Sequence, residues 1–244
     1  MMPPKYDLEK IKFATDRPTF EKAVDLYERG KVMQFEEQVG SYSAVVRGTK
    51  PYRVSVEARR YDSGHCECYL GQRHTLCKHM VAVAIRAITG GEPLNDEEKT
   101  LTHQAVCSGR LGALNKGELT ATKKALTAAM RHIKPYHGPS RLWFSYQHSL
   151  EEGCHRFAKI VSEFPVSEQT AGLLVDLLLR LDRKLCQGGV DDSNGTVGGF
   201  IEETVQVLKE YAQHDSACAE TFQKLKNRDT CFGWEEPLLK LIND

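Results

Sequence analysis

Cysteine and histidine residues are concentrated in one short stretch, HCECYLGQRHTLCKH at positions 65–79. One residue separates Cys66 from Cys68, one separates Cys77 from His79, and eight residues lie between the two pairs. Thiolate and imidazole are the ligands that Zn²⁺ takes in a tetrahedral structural site. Three thiols and one imidazole at this spacing therefore predict a structural centre that holds one Zn²⁺ per chain.

Two neighbouring histidines, His65 and His74, compete with His79 for the fourth ligand position. We favour His79, because it pairs with Cys77 at the spacing of the first cysteine pair and leads into a helix. The alternatives to a metal centre are ordinary buried cysteines and a disulfide within the first pair. Crowded ligand spacing argues against the former, and strain against the latter.

The elements on either side of this stretch can position the ligands. The preceding run YRVSVEARR alternates apolar and polar residues and predicts a strand. Side chains two apart in an extended segment point to the same side, so Cys66 and Cys68 can act together. The following run MVAVAIRAITGG predicts a helix, whose free N–H groups and dipole favour a thiolate at its start. Gly71 permits the turn between the pairs.

This arrangement resembles the SWIM-type zinc finger, whose pattern is C-x-C, a variable spacer and C-x-H. The resemblance covers about residues 40–90 and includes the strand YRVSV and the helix CKHMVAVAI. It implies zinc ligation by Cys66, Cys68, Cys77 and His79. It also implies a module that binds DNA or other proteins. The whole chain is similar to bacterial SWIM-finger proteins that have a helical C-terminal region.

The first part of the chain predicts an α+β zinc-binding domain over residues 1–92. TDRPTFEKAVDLYERGK is typical of a helix capped by Thr15 or Asp16. Three strand-like runs follow, KVMQFEEQV, YSAVVRG and YRVSVEARR, with short Gly- or Pro-containing breaks. These breaks favour a short antiparallel meander. The polar stretch GGEPLNDEEKT is interpreted as a linker with few core contacts.

Residues 100–244 predict an all-α domain, because strand patterns disappear and amphipathic segments recur. Asn115 and Ser140 are the expected N-caps of two of its helices. The sequence shows no fixed-period repeat, so an irregular helical domain is favoured. DDSNGTVGGFIEE fails as a calcium loop, since a carboxylate is missing at Val190 and Ile201, and indicates a capping turn. The aromatics of RLWFSYQH favour a core role over a nucleic-acid stacking platform.

Composition indicates an ordinary globular protein. Charged residues make up 27%, hydrophobic residues 41%, and the formal net charge is zero, which argues against a strongly basic nucleic-acid binder. No secretory signal or membrane-spanning stretch is visible, so a cytoplasmic protein, nuclear in a eukaryote, is expected. In a reducing compartment the scattered cysteines should be small buried hydrophobes. They are Cys107, Cys154, Cys186, Cys218 and Cys231.

The function expected from these features is a non-enzymatic interaction protein whose zinc finger shapes a surface for a protein partner. Four protein ligands leave a zinc ion no open position, and no nucleophile–base motif, G-x-G-x-x-G or P-loop is present. The alternatives are a DNA- or RNA-binding protein and an accessory subunit of a nucleic-acid-processing complex. Basic residues near the ligands form either a solvated surface or a contact for a partner or phosphate: Arg59, Arg60, Arg73, Lys78 and Arg86.

Overall fold

The computed structural model describes residues 3–101 and 103–242. The chain forms two compact units, residues 1–101 and 102–244, and each is described by itself. The N-terminal unit contains an antiparallel sheet with helices, and the C-terminal unit is mostly helical, as the sequence predicted. None of the helices in the described ranges is long and apolar enough to cross a membrane.

Two helices begin the N-terminal unit, α1 (Leu8–Ala14) and α2 (Arg17–Glu28). The Asp16 side chain accepts a hydrogen bond from the Thr19 N–H and so caps α2, which settles the choice left open between Thr15 and Asp16. The seven-residue α1 was not predicted, because it is too short to show helical periodicity.

The sheet is an antiparallel meander in the order β1-β2-β3-β4, and this confirms the predicted meander. Its strands are β1 (Val32–Gln38), β2 (Ser41–Arg47), β3 (Pro51–Glu57) and β4 (Gly64–Cys66). The short β4 pairs Cys66 with Val54 of β3. Helix α3 (Lys78–Thr89) covers β2 and β3 with its buried face and ends at Gly90, which adopts a left-handed conformation.

The stretch at residues 90–100 packs onto the N-terminal unit, so the expectation of few core contacts was wrong. It contains the short helix α4 (Asp96–Lys99), and Leu94 is only 3% exposed in the core. Glu28 of α2 accepts a hydrogen bond from the Leu94 N–H and pairs with Lys99 at 2.8 Å. The polar composition of the stretch suggested a linker. In the structure, its Leu94 N–H and its Lys99 side chain both contact the Glu28 carboxylate of α2.

The C-terminal unit surrounds a core centred on the buried leucines of its third long helix. Its helices are α5 (Lys116–Met130), α6 (Trp143–Glu163), α7 (Glu168–Cys186), α8 (Thr196–His214) and α9 (Glu236–Lys240), with 3₁₀ helices at Ser140–Leu142 and Ser216–Leu225. Asn115 caps α5 as expected. Ser140 does not cap α6, because a 3₁₀ turn precedes that helix and Leu142 is its N-cap.

The turn before α8 has the predicted capping role. Both carboxylate oxygens of Asp192 accept backbone N–H groups, from Val197 at 2.9 Å and from Gly198 at 2.8 Å. The aromatics at the start of α6 only partly follow the core prediction, since Tyr146 is buried but Phe144 is 69% exposed.

The isolated cysteines behave in two ways. Cys154 and Cys218 are buried, as expected, and Cys107 is half-buried. Cys186 and Cys231 are exposed and form a disulfide, which contradicts their prediction as buried hydrophobes. The two residues are 45 positions apart, so only the packing of the C-terminal segment brings them together.

Candidate metal centre

Four buried side chains of the N-terminal unit converge on one point. They are Cys66, Cys68, Cys77 and His79, and their ligand atoms all lie within 4.8 Å of one another. The His79 Nδ1 atom is 3.8 Å from the Cys66 Sγ and 3.9 Å from the Cys77 Sγ. The structure therefore brings together the two pairs that the sequence singled out.

These separations fit a tetrahedral zinc ion. With Zn–S bonds of about 2.3 Å and Zn–N bonds of about 2.0–2.1 Å, neighbouring ligand atoms lie roughly 3.5–3.8 Å apart. The observed sulfur–nitrogen distances, 3.8 and 3.9 Å, are slightly longer than the sulfur–nitrogen value at the lower end of this range, so a small inward shift would complete the coordination. They identify Nδ1 as the nitrogen that would bind the metal, because the Nδ1 atom faces the thiols.

The first ligand pair is positioned by the sheet. Cys66 ends β4 and is paired with Val54, so its side chain is directed into the core. Glu67, between the two ligands, continues the pairing because its N–H donates to the Arg53 carbonyl. Its carboxylate accepts the Arg53 N–H at 2.9 Å. These contacts fix the backbone on either side of Cys66, and so the position of Cys68.

A tight turn then brings the chain back over Cys66. The 3₁₀ helix Gly71–Arg73 starts so close to it that a Cβ atom at Gly71 would lie 2.3 Å from the Cys66 carbonyl oxygen. The Gly71 N–H is 3.4 Å from the Cys68 Sγ, and the Cys68 N–H is 3.5 Å from the Cys66 Sγ. N–H groups directed at sulfur stabilise thiolates, so the turn serves the ligands directly.

The second ligand pair lies at the start of α3. Cys77 is the N-cap residue, where the helix dipole favours a negative thiolate, and His79 lies in the first turn. The His79 ring packs against the Tyr52 ring with a centroid separation of 4.8 Å. Gly48 approaches the other nitrogen, since a Cβ atom there would lie 2.8 Å from Nε2. The contribution of Gly48 and Tyr52 could not be predicted from the sequence, because neither carries a ligand-type side chain.

The buried Nε2 atom of His79 has no hydrogen-bond partner within residues 3–101 and 103–242. Metal ligation at one ring nitrogen leaves the proton on the other, so Nε2 would carry the N–H of a neutral ligand. An imidazole directed at three buried thiols, rather than at an acceptor, fits the donor set of a structural zinc site.

Hydrogen bonding shifts the pKa values of two of the thiols in opposite directions. The hydrogen bond between Cys66 and Cys77, and then burial, raise the pKa of the Cys66 thiol above its ordinary value. The same hydrogen bond lowers the pKa of Cys77 to about 4, and His79 contributes to this lowering. A bound zinc ion would replace the shared proton, because a thiol that coordinates zinc loses its proton.

The competing histidines lie outside the cluster. His65 is exposed on β4, because adjacent residues of a strand point to opposite faces and Cys66 points inward. His74 is exposed in a left-handed conformation with φ 57°, just after the 3₁₀ helix. Neither belongs to the set of ligand atoms around Cys66.

The basic residues near the centre do not converge on one point. Arg60 pairs with Asp62 at 2.9 Å, and the Arg73 guanidinium lies over the Tyr69 ring. Lys78 and Arg86 lie at opposite ends of α3, about 12 Å apart along the helix axis. Arg59 is exposed in the turn after β3.

The comparisons with known proteins agree with the geometry of the centre. Residues 52–88 match the SWIM zinc finger family, and this range contains the four ligands, the tight turn and most of α3. No curated protein and no solved structure matches the chain significantly. Within the N-terminal unit, the segment that folds around the metal centre is thus a SWIM-type zinc finger.

Proposed function

We propose that the chain is a non-enzymatic interaction protein in which one bound zinc ion holds a protein-binding loop in place. Residues 69–76, here called the knuckle loop, connect the two ligand pairs. The observation that carries the proposal is that this loop exposes two large apolar side chains, Tyr69 at 66% and Leu70 at 43%. Apolar side chains on a rigid surface are typical anchors of protein interfaces.

The aromatic anchor is already ordered. The Arg73 guanidinium carbon lies 4.1 Å from the centroid of the Tyr69 ring, a favourable cation–π distance. Pre-ordering reduces the entropy that a partner must overcome on binding. Gln72, His74 and Thr75 are exposed around the pair and can supply a polar rim.

A closed metal centre supports the non-enzymatic part of the proposal. Three thiolates and one imidazole complete the coordination of a tetrahedral zinc ion, which leaves no position for a substrate or an activated water. The ion would act by fastening the two ends of the knuckle loop to β4 and α3.

Nucleic-acid binding is the second candidate, because an exposed tyrosine with a stacked arginine also suits a base. The dispersed basic residues and zero net charge argue for weak binding. If about four cations reached phosphates, the log–log salt slope would be about −3 to −4 and the affinity about micromolar or weaker. Arg59→Ala, Arg60→Ala and Arg73→Ala together should then abolish this binding without loss of zinc.

A comparison of partners bound by variants tests the proposal. Zinc-loaded full chain serves as bait in an extract of the native host, and bound proteins are quantified by mass spectrometry. Tyr69→Ala with Leu70→Ala should lose the partner at unchanged zinc content. The matched control is Val39→Ala, because Val39 is fully exposed in the β1–β2 turn of the same unit.

Two results would contradict the proposal. One is a partner that the double variant binds as well as the original chain does. The other is a partner that nuclease treatment removes, together with nanomolar, salt-insensitive binding of the purified chain to an oligonucleotide. The second result would favour the nucleic-acid candidate.

A further inference from the structure

The C-terminal unit contains an exposed pair of cysteines outside the metal centre. Cys186 is the last residue of α7, and Cys231 lies between the 3₁₀ helix and α9. Their Cα atoms are 5.7 Å apart and their sulfurs are bonded. Both residues are exposed, so small solutes can reach the sulfur atoms.

The two cysteines are held together by contacts other than their own bond. Asp182, one turn before Cys186 on α7, is only 8% exposed. Its Oδ1 atom accepts the Cys231 N–H at 2.9 Å and the Trp234 Nε1–H at 2.9 Å. Trp234 is itself buried, as is Leu238 of α9. These contacts keep Cys231 beside Cys186 whether or not the sulfurs are bonded.

We propose that Cys186 and Cys231 form a reversible redox modification site that exchanges with a small-molecule disulfide such as oxidised glutathione. In the first step, one cysteine thiolate attacks the glutathione disulfide, releases one reduced glutathione and forms a mixed disulfide. In the second, the other thiolate attacks the protein sulfur of that bond and releases the second glutathione. The protein dithiol is oxidised, the glutathione disulfide is reduced, and the two protons of the protein thiols pass through solvent to the two glutathione thiolates that leave.

The geometry makes this exchange selective. Cys66, Cys68 and Cys77 are buried and would be bound to metal, so they are protected from a bulky disulfide. A second metal site is the competing use of the exposed pair, since the Asp182 Oδ2 atom lies 3.8 Å from the Cys186 Sγ. Oδ1 of Asp182 already accepts two N–H groups, so only Oδ2 is left to bind a metal ion.

The test uses the full, zinc-loaded chain equilibrated with varied ratios of reduced to oxidised glutathione. Free thiols are then alkylated, and tryptic peptides are identified by mass spectrometry. One reversible two-electron transition that links Cys186 to Cys231 without zinc release is expected. Cys231→Ser should instead carry one glutathione on Cys186, and the control Cys107→Ser should behave as the original chain does.

Proteolysis gives a second readout, because residues 226–229 are exposed. Trypsin cleavage after Arg228 should proceed at similar rates in the oxidised and the reduced chain, since the Asp182 contacts hold Cys231 in both. Before reduction, the cleaved fragments should stay joined.

The proposal is overturned if the native pair stays reduced in excess oxidised glutathione. It is also overturned if the bond resists reduced glutathione until the protein unfolds. Binding of a second zinc ion by the reduced chain, lost in Cys231→Ser, would assign the pair to metal instead.

Discussion

Replacement of Gly71 by alanine should disable the metal centre without removing a ligand. The added Cβ atom would lie 2.3 Å from the Cys66 carbonyl oxygen and 2.4 Å from the Cys66 Cβ atom, about 1 Å inside ordinary contact. Both clashing atoms belong to a metal ligand, and one is backbone, so no flexible side chain can move away. The turn or Cys66 must therefore shift by a large fraction of an ångström.

The expected size of the effect follows from that shift. Zinc–ligand distances tolerate only about 0.2 Å, and overpacking at a rigid site costs about 1–3 kcal/mol. At the upper end this corresponds to roughly a hundredfold loss of zinc affinity. Competition with a chromophoric chelator measures the affinity, and thermal unfolding of the zinc-loaded chain measures the stability.

Gly30→Ala is the matched control in the same unit. A Cβ atom there would meet nothing within 4 Å, although Gly30 has φ +63°. This variant should lose about 1 kcal/mol of stability from the left-handed conformation and keep its zinc affinity. Equal zinc affinities for Gly71→Ala and the original chain would refute the reasoning that close approach at Gly71 positions Cys66.

Three further predictions concern the two units. Chelation, or Cys77→Ser, should unfold the N-terminal unit and leave most helical circular dichroism, because zinc contributes roughly 10–16 kcal/mol against about 5–15 kcal/mol for a whole domain; a complete loss of helix would contradict this. The hydrogen bond from Lys99 and that from the Leu94 N–H lower the pKa of Glu28, so its contribution to stability is present above its unfolded pKa and is lost as pH falls through the folded value. In acid titrations Glu28→Gln should therefore reduce the loss of unfolding free energy as the pH is lowered. Glu21→Gln should not, because Glu21 forms an exposed ion pair with Arg17. In thermal unfolding Asp192→Ala should cost the C-terminal unit about 1 kcal/mol, because two backbone N–H groups lose their acceptor; an unchanged stability would contradict the capping role.

The sequence predicted the cluster of four ligand-type side chains, because the spacing that brings them together is local. Cys66, Cys68, Cys77 and His79 lie within 14 residues, and their spacing already matches a strand end and a helix start. The choice of His79 over His65 and His74 depended on the spacing shared by the two ligand pairs and on the helix that follows, which are also local properties. The supporting Gly48 could not be predicted, since its closeness to His79 depends on the packing of β2 and β3 against α3.

Features that depend on distant contacts were missed. The bond between Cys186 and Cys231 requires the C-terminal segment to pack on α7, and nothing in the local sequence indicates that packing. The stretch at residues 90–100 seemed to be a linker, because its polar composition gives no sign of the Glu28 contacts. Local patterns define elements well, whereas pairing between elements follows from the tertiary structure.

The metal content of freshly purified chain and of two histidine variants tests the central claim most directly. Native mass spectrometry, with elemental analysis to identify the metal, should find one zinc ion per chain in the original protein and in His74→Ala. The His79→Ala chain should have lost most of its zinc, because His79 Nδ1 lies 3.8 Å from the Cys66 sulfur and His74 is exposed outside the cluster. A chain purified without zinc, or zinc retained in His79→Ala and lost in His74→Ala, would contradict the account.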